Sequence, residues 1–478
     1  MTKTKSFLER SGFRSVFDKI WNIKPHTFYT VLALFFGVIA AFIMPPLTVP
    51  DEQVHFLSVL KVSHFQFLPT VINGKEGVFL SVGEIEFLEA YRNDVYSPTM
   101  NFADFFRFKA QAYKPTEFYV ADGAGVNPLA YIVSGFGLAL VRFVFPFINV
   151  HFCLIIARLF NLVTAVILTR QAIKVTPVLK NVMLLLVLMP MTIHQTASTS
   201  YDSLLISASM LLFAYVMKIV LEKENYVIGA KDIVAVCVAC AILFGTKILY
   251  AALVVVLLLI PKKKIGTWKK YFSLVGVIAL IGVFFYLIPS LAVSFATSDI
   301  DNYSPLVATQ KDYFFSNFPW LLPRIVLDTT KTLFEPLSRE FFGVLGWLVL
   351  SFPMFHVILF YTAFLFVFLV EICNSGTVKL RIRFVLFFAF LIVSIGAMLG
   401  MYLLHTPRVD VVGGTIAIGL QGRYFIPCAI FGLCAFSNSL LDKISCKNTL
   451  LVVSEKVSQA TALFCGIETV RILLWYYW

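Results

Sequence analysis

Charged side chains are scarce in this chain. Lys, Arg, Asp and Glu make up 14% of its 478 residues, whereas soluble domains carry about 25%. Hydrophobic residues make up 59%. So little charge on so apolar a chain excludes a soluble protein and predicts an all-α polytopic membrane protein.

Other features that the sequence lacks exclude further classes of protein. No small-x-small cleavage site follows the first apolar run, so we interpret it as a retained helix rather than a signal peptide. Cys237 and Cys240 have the spacing of a redox motif but lie inside the apolar run "IVAVCVACAILF", which favours helix packing. The net charge of +12 comes from short clusters between apolar runs. No basic domain remains for nucleic acid.

The apolar runs predict about 11 spanning helices, and the basic clusters predict their orientation. Because basic loops stay on the cytoplasmic side, the N-terminus is expected inside and the first loop outside. The expected divisions are a cytoplasmic segment 1–27, a membrane domain 28–440 and a C-terminal segment 441–478 with a last helix. Within the domain we expect a first outer loop 45–127, an interfacial helix 128–149 and a second large outer loop 296–340.

Some predicted spans are irregular. The run 178–196 is expected to form one helix, and the runs 232–246 and 248–260 form a short pair. The run 341–371 is broken by Pro353, so part of it is expected to be re-entrant.

Unusual polar side chains gather at the predicted outer ends of the helices. Charge near lipid is costly, and such residues often mark functional sites. The set comprises Asp51, Glu52, His55, His194, Gln195, Asp202, Lys247, Tyr250, His405, Arg408, Asp410, Gln421, Arg423 and Tyr424.

Several of these residues also have a structural interpretation. Lys247 and Arg423 would snorkel to the membrane surface, Asp202 would cap its helix, and Tyr424 would join an aromatic belt. The pair Asp51–Glu52 is harder to explain in this way, because a helix cap needs one carboxylate.

A set of acids and bases on one membrane face suits transfer from a lipid-linked donor. Asp51 and Glu52 would be catalytic, because a carboxylate can deprotonate an attacking hydroxyl. His55, His194 and Asp202 would support the acid or contact the acceptor.

The remaining candidates would bind the ligands. Lys247, Tyr250, Arg408 and Arg423 would hold the donor phosphate, and Gln421 and Tyr424 would contact donor or acceptor. No cofactor is assigned. Whether a divalent metal takes part is open, because Asp51, Glu52 and Asp202 would bind one only if they converged.

The motifs "PPLTVPDEQVHF", "QTASTSYDSL", "KILY" and "LQGRYFIP", in this order, resemble the DUF2142 family of bacterial multi-spanning membrane proteins. More distantly, Asp-Glu in the first outer loop is similar to GT-C glycosyltransferases, which use polyprenyl-phosphate sugars. This resemblance implies a GT-C-like fold, Asp51 as base, Asp202 as a second acid and an extracytoplasmic site in the bacterial plasma membrane.

Three classes of function remain. The leading hypothesis is an inverting glycosyltransferase that moves a sugar from the lipid-linked donor to an envelope glycan. The alternatives are a transporter or flippase of a lipid-linked saccharide and a non-catalytic scaffold of polysaccharide assembly. A transporter needs polar groups through the middle of the membrane, whereas here they gather at one side.

The orientation yields the first testable prediction. A cysteine introduced between residues 60 and 120 should react with an impermeant thiol reagent added to intact cells, and one at position 263 should react only after the cells are opened. Labelling of position 263 in intact cells would reverse the orientation and with it the side of the site.

Overall fold

The computed structural model describes residues 23–92, 96, 98–108, 114–121, 125–298, 305–376 and 378–478. Most of the predicted cytoplasmic segment 1–27 therefore lies outside the described residues. The α-helices in chain order are α1 Pro25–Ile43, α2 Glu52–Ser63, α3 Val82–Arg92, α4 Ile132–Val144, α5 Val150–Val175, α6 Lys180–Leu188, α7 Pro190–Thr196, α8 Asp202–Leu221, α9 Ala230–Thr246, α10 Lys262–Ile265, α11 Trp268–Gly282, α12 Ile288–Ala296, α13 Pro305–Ser316, α14 Leu321–Gly343, α15 Met354–Cys373, α16 Leu380–Gly400, α17 Thr406–Val409, α18 Ile426–Cys434 and α19 Lys447–Tyr477.

Shorter elements connect these helices. The 3₁₀ helices are Phe102–Phe106, Pro128–Tyr131, Ile248–Leu259, Gly422–Phe425 and Leu440–Lys443, and π-helical turns cover Val283–Leu287 and Met401–His405. The strands are β1 Thr70–Ile72, β2 Lys75–Leu80, β3 Glu117–Val120, β4 Val344–Leu345 and β5 Leu350–Ser351. Strands β1, β2 and β3 form one antiparallel sheet in that order, and β4 pairs with β5.

Within the described residues, seven helical stretches are long and apolar enough to cross a membrane. Shorter apolar helices lie beside them. The prediction of an all-α, multi-pass membrane protein is therefore confirmed. The seven stretches are Pro25–Ile43, Val150–Val175, Asp202–Leu221, Trp268–Ala296, Met354–Cys373, Leu380–Val409 and Lys447–Tyr477.

The structure corrects one predicted helix and adds detail to two further runs. The single helix expected over 178–196 is two helices, α6 and α7, because Pro190 has no N–H to continue a helix and instead begins α7. The run 248–260 forms a 3₁₀ helix of 12 residues, although such helices are usually much shorter. The run 341–371 contains the β4–β5 hairpin, and α15 begins after Pro353.

The first outer loop folds around its own small apolar core. Asn73 and Gly74 both have positive φ values, which suits the tight turn between β1 and β2 because these two residue types tolerate that conformation. Behind the sheet, Phe56 of α2 packs its ring 5.9 Å from that of Phe87 of α3. The described part of the loop is thus an ordered layer over the ends of the spanning helices.

A buried ion pair fastens this layer to α4. Arg142 donates from Nη2 to Glu84 at 2.7 Å and from Nη1 to Ser63 at 2.8 Å. His64 lies 2.9 Å from the same carboxylate, and Ser81 donates to it from both N–H and Oγ at 2.8 Å. Burial would raise the pKa of Glu84, but the hydrogen bond from His64 and the charge of Arg142 outweigh it and lower the pKa to about 2.

The low pKa of Glu84 predicts acid sensitivity of this layer. The charged pair stabilises the fold above the ordinary pKa of 4.5, and this stabilisation is lost as the pH falls from there to about 2. Glu84→Gln should remove the stabilisation at neutral pH, costing ~3–5 kcal/mol because Arg142 stays buried opposite a neutral group. The melting temperature of the purified protein between pH 7 and pH 2 measures both effects.

The matched control is Glu86→Gln on the same helix, because Glu86 is exposed. It should melt like the wild type over the whole pH range. A Glu84→Gln variant as stable as the wild type at neutral pH would show that the ion pair contributes nothing to the fold.

Candidate functional site

The end of α1 is held by one fully buried arginine. Arg158 of α5 donates from Nε and Nη2 to the two carboxylate oxygens of Glu52, at 2.9 and 2.7 Å. It also donates to the carbonyl oxygens of Ala41, Met44 and Pro45 at 2.8–3.0 Å. These five hydrogen bonds satisfy the guanidinium of Arg158, so its charge can lie inside the protein.

The prolines of the sequence explain why this arginine is needed. In a continuing helix the Ala41 carbonyl would accept from the N–H of residue 45, and Pro45 has none. Arg158 supplies the missing donor. The chain then turns through residues 44–50, which are all buried, and delivers Asp51 and Glu52 to the start of α2.

Asp51 and Glu52 have opposite environments although they are neighbours. The Asp51 side chain is 52% exposed, whereas Glu52 is fully buried. Asp51 precedes the first residue of α2 with φ of 65°, and its side chain makes no capping hydrogen bond to that helix. Capping therefore does not explain the Asp51 carboxylate.

The turn before α8 depends on the same buried pair. Glu52 also accepts the backbone N–H of Thr199 at 3.2 Å. Asn161 of α5 donates to the carbonyl oxygens of Ser198 and Ser200 at 2.7 and 2.8 Å. These bonds fix the approach to α8 and so the position of its first residue, Asp202.

Arg423 contacts two carboxylates, those of Asp51 and Asp202. Its Nη2 lies 2.9 Å from Asp51 Oδ2, its Nη1 lies 3.4 Å from Asp202 Oδ2, and its Nε donates to Gln421 at 2.6 Å. The side chain is 3% exposed. A guanidinium between two carboxylates sets the distance between them and leaves Arg423 with little capacity for a further anion.

The backbone beside Arg423 is held by α14. Glu340 accepts the N–H of Gly422 at 2.7 Å. A methyl group at Gly422 would collide with the Leu337 carbonyl oxygen, so this close approach requires glycine. Burial raises the pKa of Glu340, although the Gly422 N–H and the charge of Arg423 oppose the shift.

A second cation lies next to this cluster. Lys247 places its ammonium nitrogen 4.2 Å from the centre of the Tyr424 ring, a favourable cation–π distance. Tyr250 donates to the backbone carbonyl of Tyr424 at 2.7 Å and fixes that residue. Within the described residues Lys247 forms no ion pair, so its charge remains available to an anionic ligand.

His55 lies beneath the acids as a neutral group. Its ring nitrogens lie 2.6 Å from the Tyr131 hydroxyl and 3.3 Å from the Ser200 hydroxyl. Burial lowers the pKa of His55 to about 4, although Asp202 and Asp51 oppose this. At neutral pH the imidazole carries no charge, so it can orient neighbours but does not attract a phosphate.

Comparison with known protein families gives a match over most of the chain. Residues 34–431 match a family described as predicted membrane protein, DUF2142. The chain belongs to the DUF2142 family. Searches of curated proteins and of solved structures returned no match.

In this DUF2142 protein the cluster formed by Asp51, Asp202, Gln421 and Arg423, called the acid–arginine cluster below, lies entirely within the matched stretch. Lys247, Tyr250 and Tyr424 adjoin it. The structure thus brings together seven residues from four separate motifs.

Other candidate residues lie apart from the cluster or have different contacts. His194 accepts the N–H of Gly346 at 3.1 Å and so holds the β4–β5 hairpin. Arg408 is exposed and forms no ion pair within the described part of the chain. Glu52 is occupied by Arg158. The contacts of His194 and Glu52 are therefore structural ones.

The three acids do not converge on a metal. Glu52 faces Arg158, and Arg423 occupies the space between Asp51 and Asp202. Among the described residues no group of three or more His, Cys, Asp or Glu side chains could hold a metal ion. Guanidinium groups neutralise these carboxylates, whereas in a metal site the carboxylates would be free to coordinate the ion.

Two residues of the DUF2142 site were missed in the sequence. Arg158 lies inside the apolar run 152–172, and a charge in such a run needs a buried partner. That signal could have identified Arg158, but it would not have identified Glu52 as its partner. Glu340 gave no signal, because its contact with Gly422 joins segments 82 residues apart.

The contrast between the neighbouring acids predicts different stability effects. Glu52→Gln should lower the unfolding free energy by ~3–5 kcal/mol, because it leaves a buried guanidinium uncompensated. Asp51→Asn should cost less than ~1 kcal/mol, because the residue is half exposed and asparagine also adopts the left-handed conformation. Melting of the two purified variants measures the difference, and equal losses would refute the separation of roles.

Proposed function

We propose that this DUF2142 protein is an inverting membrane glycosyltransferase that takes a sugar from a polyprenyl-phosphate donor. The acceptor is an envelope glycan on the outer face of the bacterial plasma membrane. The observation that carries the proposal is the Asp51 carboxylate. It is half exposed in an otherwise largely buried cluster, and it does not cap the helix that it precedes.

Asp51 is the general base in this proposal. It takes the proton from an acceptor hydroxyl while the hydroxyl oxygen forms a bond to the anomeric carbon of the sugar. The bond between that carbon and the phosphate oxygen breaks, and the lipid phosphate leaves with the bonding electrons. One displacement inverts the configuration at the anomeric carbon. Arg423 orients the Asp51 carboxylate through the 2.9 Å contact.

Lys247 is the residue best suited to the donor phosphate. Its ammonium group lies over Tyr424 without an ion-pair partner in the described structure. A phosphate that leaves with an additional negative charge is stabilised by such a cation. Arg423 is less suited to this task than its sequence context suggested, because Asp51 and Asp202 already surround it.

Glu52 has a positioning role in the proposal. It holds the start of α2 and the turn at Thr199 through one carboxylate, and both acids of the cluster adjoin these segments. A GT-C-like architecture with the cluster outside is consistent with the order of the motifs and with the basic clusters of the opposite loops. The experiment must distinguish this transferase from the alternatives, which are a transporter, a flippase or a scaffold.

The test is complementation of a deletion strain with equal amounts of each variant. Deletion should remove a sugar from the envelope glycans, and the wild type should restore it. Asp51→Asn should lower the transfer rate by about 10²–10⁴-fold, because it removes the base while keeping the size of the side chain. Glycan sugar composition and transfer of labelled sugar in isolated membranes provide the two measurements.

Asp410→Asn is the matched control, because Asp410 is an exposed acid outside the cluster. It should transfer at the wild-type rate. Wild-type transfer by Asp51→Asn would eliminate the general base, and the transporter or scaffold would then explain the loss in the deletion strain.

A further inference from the structure

A second concave feature lies where three separate segments meet. The C-terminal end of α8, the segment around α10 and the N-terminal end of α16 enclose a cleft of about 460 Å³. This volume lies within the ~300–1,000 Å³ of typical small-ligand pockets. We call it the basic cleft.

The basic cleft lies at the opposite end of the helices from the acid–arginine cluster. Helix α8 begins at Asp202 in the cluster and ends at Leu221 in the cleft, and its 20 residues extend ~30 Å. The 3₁₀ helix Ile248–Leu259 follows Lys247 of the site and ends in the cleft. The two features therefore face opposite sides of the membrane, whichever side is cytoplasmic.

One of the residues that line the cleft is a buried lysine, Lys264. Lys264 donates to the carbonyl oxygens of Ile219 and Glu222 at 2.7 and 2.6 Å. These carbonyls lie at the C-terminal end of α8, where a cation satisfies them and interacts favourably with the helix dipole. Lys264 thus fixes α10 against α8 and is not itself free for a ligand.

The rim carries more positive than negative charge. Its four other cations, Lys223, Lys263, Lys379 and Arg381, are exposed and form no ion pair within the described part of the chain. Two carboxylates, of Glu222 and Glu224, share the rim. The remaining positive charge favours an anionic ligand.

The same cleft also has an apolar wall. Val220, Leu259 and Ile382 line it alongside the cations. A free phosphate would use the cations but not this wall. A membrane phospholipid would use both, with its phosphate at the lysines and the start of its acyl chains against the apolar residues.

We infer that the basic cleft binds the headgroup of an anionic phospholipid of the surrounding membrane. Basic clusters beside spanning helices are common as orientation signals. This one differs because cations from three distant segments converge on a cleft with an apolar wall. The inference does not depend on the proposed transferase activity.

The test compares two double variants of the full-length protein in detergent. Lys263→Gln/Arg381→Gln removes two cations of the cleft. Lys269→Gln/Lys270→Gln removes two exposed lysines just beyond it at the start of α11. Native mass spectrometry and melting would follow binding of dioleoylphosphatidylglycerol, with dioleoylphosphatidylcholine, glycerophosphoglycerol and inorganic phosphate as the other ligands.

The wild type should bind dioleoylphosphatidylglycerol and melt at a higher temperature with it, and the cleft variant should bind it roughly tenfold or more weakly. The control variant should behave like the wild type. Equal weakening in both variants would show diffuse surface attraction and overturn the inference. Equal stabilisation by inorganic phosphate or glycerophosphoglycerol would also overturn it, because the apolar wall would then contribute nothing.

Discussion

The pairing of Arg158 with Glu52 is the contact on which the rest of the site depends. It satisfies carbonyl oxygens left open by the prolines after α1, fixes the first turn of α2, and through Glu52 holds the turn before α8. A buried ion pair often adds little net stability over an apolar pair, yet losing one partner is costly. Its contribution here is to specify how three segments meet.

The neighbours Asp51 and Glu52 illustrate how a helix start separates two carboxylates. Side chains of consecutive residues there point in different directions, so Glu52 enters the interior while Asp51 stays half exposed. Arg423 then couples Asp51 to Asp202. Asp51 and Glu52 thus pair with different arginines, and of these two neighbours only Asp51 is accessible to solvent.

The two ends of the helix bundle differ in charge. At one end, acids and arginines neutralise one another and leave Lys247 unpaired within the described residues. At the other end, the basic cleft carries cations that form no ion pair with a carboxylate of the described residues. An anionic lipid at the basic end and a lipid-linked donor at the acidic end would each find a complementary cation in our two proposals.

The sequence by itself determined the class of protein and much of the membership of the site. Composition alone indicated a polytopic α-helical membrane protein, and the polar motifs named Asp51, Asp202, Gln421 and Arg423. Only the tertiary structure decided the partners. Arg158 and Glu52 are 106 residues apart in the sequence, and Arg423 and Asp51 are 372 apart. The periodicity of a sequence indicates which face of one helix is apolar, but it does not indicate which distant side chain lies opposite that face. The continuous helix expected over 178–196 was wrong for a different reason, because Pro190 is visible in the sequence but a proline can either kink a helix or end it, and only the structure shows which occurs.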